Sequence, residues 1–589
     1  MIRSLMLITI CAATSASTLQ NFRPGLARFI VPALLLLPFA LLTSCRSAPL
    51  RAEHAMVAAA NPLAARAGFE VLRAGGSAAD AAVAIQAVLG LVEPQSSGLG
   101  GGAFILYYDA HTRVVTAYAG RETAPAGAAP DMFLGEDRHP FSYPVAVLSG
   151  RSTGVPGAVA ALGLLQREHG SLRWKELFGA AERLATDGFV VSPRLAGFIV
   201  SRAPQTAAPD VIRYFSKPDG SRIGAGDVLK NPAYAATLQR LANGGPRALY
   251  RGEIAADIVR RVHEAPLPGT LALEDLAHYA PVETAALCHA WQTVRVCTPP
   301  LPAGGVDVLE GLLLLEHTDI ATRGPSDPRA WVELGETERL LYADRNRYVG
   351  DPKFVDVPLA GLLDAGYIAN RAALIGDHIA STPPGPGRPP GAAALGPDRS
   401  LEPGGTTHFV IRDAAGNVVS MTTTVESIFG SGRMVDGFFL NNQLTDFSFL
   451  PTDEAGRPVA NAVAPGKRPR SAMSPTIVLD GSNRFVEAVG SAGGPAIISY
   501  VIKTLIATRD WHLPMQDAIA LPNLVARDAN FSAEVAKWPP DFVAALQARG
   551  LDVHLGQYEE SGLQGIEIDA NGALEGGVDP RREGVVLSY

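Results

Sequence analysis

Apolar and polar positions change period several times along the chain, and each change marks an element. The first organised stretch is "NPLAARAGFEVLRAGGSAADAAVAIQAVLGLVEP". Its apolar residues recur at helical spacing. Asn61 suits an N-cap and Pro62 the first helical position, so a helix starts there and stops at Gly75-Gly76. Ser77 caps a second helix, with Asp80 at its third position. That second helix is apolar nearly all round, which predicts burial. "GLGGGAFILYYDAHTRVVTAYAG" reads as a glycine-rich turn and a hairpin. Residues from about 157 to 280 read as helices and loops, and 282–299 as strands. "WVELGETERLLYADRNRYVG" predicts a long amphipathic helix.

The periodic pattern then stops. Residues 382–405 hold seven prolines and six glycines in 24 positions, a composition that predicts a flexible or extended linker. Beyond it the chain turns strongly β, in "THFVIRD", "VVSMTTTV", "GFFLNN", "TIVLD" and "FVEAVGSAGG". Helices return around 495–520 and 538–549, and strands close the chain. Two domains joined by a hinge would give this order. So would one domain whose linker is cut.

Composition narrows the class. The chain has 589 residues, 47% hydrophobic and 18% charged, which suits a well-buried globular protein of one large domain or several smaller ones. The formal net charge of −8 argues against nucleic acid as the main partner. Near the N-terminus, Arg23 and Arg28 precede the apolar run "FIVPALLLLPFALL". This is short of the roughly 20 residues a membrane span needs and fits the core of a signal peptide. It leads into Leu42-Thr43-Ser44-Cys45, which resembles the lipobox of bacterial lipoproteins. The expectation is a signal peptide over 1–44, lipidation at Cys45, and a periplasmic protein held to the bacterial cell envelope by lipid alone. No CxxC or HExxH spacing indicates a metal site. Cys288 and Cys297 face each other if Gln292 and Thr293 form a hairpin loop, which leaves a disulfide or two free thiols open.

The linker ends against Gly405-Thr406-Thr407-His408. A threonine hydroxyl needs a base to act as a nucleophile. If the Gly405–Thr406 bond breaks, the new α-amine, with a pKa of about 7.7–8.0, sits beside the hydroxyl of the same residue. One residue then supplies nucleophile and base. Gly405 keeps side-chain bulk away from the bond, and the linker becomes a removable plug.

Many ordered blocks beyond this point carry a resemblance. They include "GGSAADAAVA", "GLGGGAF", "GRETAPA", "YADRNRYVGDP", "TTHFVI", "TTTVESIFGSG", "LNNQLTDFS", "GKRPRSAMSPT" and "GSAGG". From about Met56 to Tyr589 the chain resembles the γ-glutamyltransferase (glutathione hydrolase) family of N-terminal nucleophile hydrolases. The resemblance implies an α+β, four-layer αββα sandwich, cut into a large part (45–405) and a small part (406–589) that stay intertwined. It implies that Thr406 is the nucleophile and that Thr424 hydrogen-bonds it. Gly493 and Gly494 match the oxyanion-hole donors. Arg121 matches the arginine that grips the α-carboxylate of the donor, assisted by Ser471. Asp446, with Gln443 and Glu426, matches the group that holds the α-ammonium. The implied reaction passes the γ-glutamyl group of glutathione or a related amide to water, an amino acid or a peptide, with no cofactor.

Two departures stand out. Where the family often shows "RPLSSM" this chain has "RPRSAM", so Arg470 replaces an apolar residue and Ala472 lacks a hydroxyl. Residues 449–460, at the position of a lid in some members, lack a tyrosine. A reduced lid would admit water and favour hydrolysis. His408 reads as a packed strand residue rather than a base. Ser152 in "GRSTG" fits the GxSxG pattern but has no identifiable Asp and His partners. A related acylase acting on glutaryl or cephalosporin-type amides is one rival reading. An unprocessed, non-catalytic envelope binding protein is the other.

Overall fold

The computed structural model describes residues 51–52, 54–555 and 561–589. The signal segment and Cys45 lie outside the described residues. Two seven-stranded antiparallel sheets organise the fold. The first runs, in spatial order, through Val585–Ser588, Met56–Ala59, Thr406–Arg412, Val418–Thr424, Gly102–Asp109, Val114–Gly120 and Val282–Ala285. The second runs through Arg51–Ala52, Leu574–Val578, Gln564–Ile568, Phe485–Gly490, Thr476–Leu479, Val294–Thr298 and Leu287–Trp291.

The layers follow from strand alternation. Phe409 and Ile411 point to one face of the first sheet, with Ile105, Val419 and Met421. There they meet the helices Pro62–Arg73, Ala78–Val92 and Ala158–His169. Val410, Leu106 and Val418 point to the other face and pack on Ile477, Ala488 and Ile566 of the second sheet. The far face of the second sheet is covered by Gly305–Leu315 and Ile497–Arg509, with Pro328–Tyr348 packed outside them. Helices, sheet, sheet, helices: this is the αββα sandwich that the resemblance implied.

The local expectations hold where short-range chemistry decides. The Asn61 side chain accepts from the Leu63 N–H. Ser77 and Asp80 form the reciprocal capping box, and all of Ala78–Val92 is buried. Cys288 and Cys297 face each other across the Leu287–Trp291/Val294–Thr298 hairpin and are joined by a disulfide. The free-thiol alternative falls.

One expectation needs correction, and one of two open readings falls. Pro328–Tyr348 is not amphipathic in the ordinary sense, because Glu336, Glu338, Arg339, Asp344 and Arg345 on it are buried. Tertiary partners surround the helix: Arg345 pairs with Asp307 at 3.2 Å and Asp344 with Arg371 at 3.2 Å, and Glu338 accepts from the Ala526 N–H. Nor does the 382–405 tract join two separate domains. It has no helix or strand but is tied down along its length. Gly387 donates to Asp344 and accepts from Tyr348, each at 2.6 Å. The Gly396 N–H donates to Pro458 O at 2.9 Å, and the Asp398 N–H to Asn346 O at 2.7 Å.

Candidate active site

The Thr406–Arg412 strand pairs on one side with Met56–Ala59 and on the other with Val418–Thr424. Its register puts Thr406 directly opposite Thr424 at the end of the first sheet. The Gly405–Thr406 peptide is intact, and a chain of hydroxyls spans it. Thr406 Oγ1 donates to Thr424 Oγ1 at 3.1 Å, and Thr424 Oγ1 donates to the Gly405 carbonyl at 3.1 Å. The Glu426 N–H donates to the same Thr424 oxygen at 2.8 Å. Arg582 donates to the Thr406 carbonyl at 2.9 Å. Thr406 and Thr424 are both buried.

Gly405 has no spare room. A Cβ there would lie 2.5 Å from the Glu426 carbonyl oxygen and 2.6 Å from the Ser427 carbonyl carbon, both backbone. Glu426 itself has φ of +82°, a strained conformation for a residue with a side chain.

Arg121 leaves the end of the Val114–Gly120 strand and is buried. Its Nη2 lies 2.6 Å from Asp446 Oδ2 and 2.6 Å from the Arg470 carbonyl, and its Nε donates to Pro469 O at 3.1 Å. Gln443 and Asp446 bracket one short 3₁₀ turn, and Gln443 Nε2 donates to Asp446 Oδ2 at 2.6 Å. The Ser471 hydroxyl accepts from the Met473 N–H at 3.1 Å. These residues share one cavity with Thr406, Thr424 and Glu426.

Two carboxyls face each other in that cavity. Burial pushes the Glu426 carboxyl well above the usual range, and the charge on Asp446 adds to the effect. Burial also raises Asp446, but the Arg121 guanidinium opposes it. Of the two, only Asp446 has the Arg121 guanidinium against it, at 2.6 Å, which favours its charged form. Asn442 donates to Glu426 and fixes the carboxyl in place.

Gly493 (φ +132°) and Gly494 (φ +52°) form the turn that leads into the Ile497–Arg509 helix. Such φ values suit glycine. Gly494 lines the Thr406 cavity, and Gly493 lines an adjoining one of about 380 Å³. The end of the linker separates the two: Glu402 and Pro403 line both. The Thr406 cavity itself measures only about 30 Å³, room for little more than water.

The two decoys are accounted for. His408 points between the sheets, where burial pushes its pKa down to about 3, and its Nδ1 lies 2.9 Å from Thr422 Oγ1. It is a packed strand residue. Ser152 is buried and donates its hydroxyl within its own turn, to Val147 O and Ser149 O. Among the described residues no cluster of three or more potential metal ligands occurs.

Sequence reasoning missed the surroundings of Glu402. Arg345 lies inside the "YADRNRYVGDP" block, but nothing in its spacing connects it to residue 402. Arg470, noted only as a departure, reaches the same carboxylate. Residues 449–460 form a small turn with a Thr452–Pro458 bridge, and Phe449 stacks on Phe133.

The chain is 36% identical over 553 residues to a glutathione hydrolase proenzyme of Bacillus subtilis, covering 91% of each. It is 34% identical over 547 residues to one of Escherichia coli, covering 90% of this chain and 91% of that one. A cephalosporin acylase structure from Bacillus halodurans superposes with a TM-score of 0.82 at 26% identity, over 94% of this chain and 99% of that one. A Helicobacter pylori gamma-glutamyltranspeptidase structure superposes with a TM-score of 0.51 at 28% identity, over 54% of this chain and 90% of that one. Residues 64–589 match the Gamma-glutamyltranspeptidase family, and the chain belongs to it.

Proposed function

We propose that this protein is a self-processing γ-glutamyltransferase and glutathione hydrolase whose nucleophile is Thr406. The observation that carries this reading is the hydroxyl chain across the intact Gly405–Thr406 bond. Thr424 draws on the Gly405 carbonyl oxygen while accepting from Thr406. Attack by Thr406 Oγ1 on the Gly405 carbonyl carbon forms an ester as the C–N bond breaks, and the hydroxyl proton passes to the departing nitrogen. Water then hydrolyses the ester. The products are a Gly405 carboxylate and a Thr406 with a free α-amine.

The tail that ends at Gly405 then withdraws, and the two cavities it divides become one. A γ-glutamyl head is zwitterionic and needs both signs at a fixed separation. Arg121 takes the α-carboxylate, with Ser471 beside it, and Asp446 takes the α-ammonium, with Gln443 and Glu426 behind it. In the uncut chain these two charges satisfy each other at 2.6 Å. Thr406 attacks the γ-carbonyl, Gly493 and Gly494 present backbone N–H groups to the oxyanion, and an amine leaves. Water, an amino acid or a peptide resolves the γ-glutamyl ester. Ala472 leaves the α-carboxylate one hydroxyl fewer.

The mature chain starts at Cys45, acylated after removal of residues 1–44, and works in the periplasm on a lipid anchor. The lipobox-like Leu42-Thr43-Ser44-Cys45 supports this. Among the described residues no helix is long and apolar enough to cross a membrane.

Intact mass of the purified protein lacking residues 1–44, wild type beside Thr406→Ala, tests the processing. Scaling 61.8 kDa over 589 residues gives fragments of about 38 and 19 kDa. They are expected only in the wild type, with Thr406 as a new N-terminus. A single uncut chain in both samples would favour the binding-protein reading. The cut enzyme is expected to hydrolyse γ-glutamyl anilide in preference to glutaryl anilide, because a glutaryl group has no ammonium for Asp446. The opposite preference would make it an acylase.

A further inference from the structure

The segment before the scissile bond has no regular structure from Leu401 to Gly405, yet self-cleavage needs the Gly405 carbonyl held against Thr406 and Thr424. Glu402, three residues upstream of Gly405, is the charged residue of this segment. It is buried, and so are both of its partners. Arg345 grips it bidentately, Nη1 to Oε1 at 3.0 Å and Nη2 to Oε2 at 2.8 Å. Arg470 adds Nε at 3.0 Å and Nη2 at 2.5 Å, both to Oε1. Four charge-assisted hydrogen bonds therefore converge on one carboxylate.

The socket is itself anchored. Asp307 lies 3.2 Å from Arg345 Nε, and Asp398 lies 3.1 Å from Arg470 Nη2. Asn461 donates to Asp398 at 2.8 Å and accepts from the Arg470 N–H at 2.9 Å. Arg470 also joins the socket to the substrate site, since its carbonyl accepts from Arg121. Downstream of Glu402, the tail backbone leans on the diglycine turn: a Cβ on Gly494 would lie 2.9 Å from the Glu402 carbonyl and 3.2 Å from the Gly404 Cα.

We propose that Arg345 and Arg470 form a carboxylate-binding site, occupied by Glu402 in the uncut chain, that positions the Gly405 carbonyl for self-cleavage. Glu402 is a positioning residue. It touches none of the reacting atoms but fixes one end of a four-residue segment whose other end is the attacked carbonyl. Proline at 403 shortens the slack between the two ends, because its φ is fixed. Holding the reactants together in this way converts binding energy into rate. Arg470 gives the site its second guanidinium. This inference rests on Thr406 being the processing nucleophile.

The test follows self-cleavage of freshly purified chain on denaturing gels, for wild type, Glu402→Gln and Glu402→Gly. Glu402→Gln keeps shape and removes the charge. It is expected to cleave at least tenfold more slowly than wild type, with a melting temperature close to that of the wild-type precursor. Once cut, it is expected to turn over γ-glutamyl anilide with the wild-type kcat, because residue 402 has by then left the site. Glu402→Gly opens the socket, and added acetate or formate is expected to restore cleavage in proportion to its concentration. Chloride at equal ionic strength is expected to have no effect. Wild-type cleavage rates in Glu402→Gln, or no response of Glu402→Gly to acetate and formate, would overturn the proposal while leaving Thr406 as the nucleophile. Failure of the wild type to cut at Gly405–Thr406 would instead remove the reading on which it rests.

Discussion

At the residue scale, the site is built from side chains whose types are ordinary and whose surroundings are not. The role proposed for Thr406 comes from what faces it: one hydroxyl opposite, on the next strand, and one carbonyl before it. Gly405 is required by space rather than by conformational freedom. Its missing Cβ would meet the backbone of Glu426 and Ser427, which cannot turn aside as a side chain could. Gly405→Ala is therefore expected to slow self-cleavage by tenfold or more while the precursor still folds, as gel bands and a thermal melt would show. An unchanged rate would mean that this strand end yields easily. The Glu426–Asp446 pair shows the same dependence on surroundings. Both are carboxylic acids raised by burial, but only Asp446 has a guanidinium at 2.6 Å to oppose the rise.

At the element scale, antiparallel register decides which charges meet. Glu487 and Glu567 face each other across neighbouring strands of the second sheet, and Glu567 faces Glu575 on its other side. Burial lifts Glu487 to about 7 and Glu567 to about 8, and the Glu487 charge adds to the rise at Glu567. Between the ordinary carboxyl value and these raised ones, the folded chain holds more protons than the unfolded chain. The stability these two groups contribute is therefore fully present at low pH and is lost as pH rises through 5 to 8. Glu567→Gln removes the larger contribution. Its melting temperature is expected to fall less steeply than that of the wild type over that interval, and parallel curves would contradict this. The Leu287–Trp291/Val294–Thr298 hairpin makes the same point about register. Its two-residue loop sets Cys288 opposite Cys297, and the disulfide follows from that placement.

At the scale of the whole molecule, cleavage at 405 would not divide the fold. The strand that begins at Thr406 lies between Met56–Ala59, from before the cut, and Val418–Thr424, from after it. In the second sheet, Thr476–Leu479 from after the cut pairs with Val294–Thr298 from before it. Each fragment alone would expose sheet edges and the apolar faces of both sheets. The fragments are expected to co-elute in gel filtration and to separate only in denaturant. Separate elution under native conditions would show that the mixed sheets do not hold them.

Elements governed by short-range chemistry could be read from the residues alone. The Asn61 and Ser77 caps, the buried second helix, the β-rich half after residue 405 and the strand that starts at Thr406 were all legible there. Ordered motifs further carried the fold class and the residues that gather around Thr406, because each motif lies within a few neighbouring positions. Only the tertiary structure decided what depends on distant residues meeting. The charges of Pro328–Tyr348 look solvent-facing by period, yet they are buried because other elements enclose them, with counter-charges from Asp307 and Arg371 on neighbouring helices and from Glu336 with Arg339 within the helix. The proline-rich tract looks like a hinge by composition, yet it is threaded across the body and pinned. Arg345, Glu402 and Arg470 are unremarkable in one dimension. They become a site because the two sheets and their helices bring three separate segments to one point, out of water, where a carboxylate without its guanidiniums would be strongly destabilised.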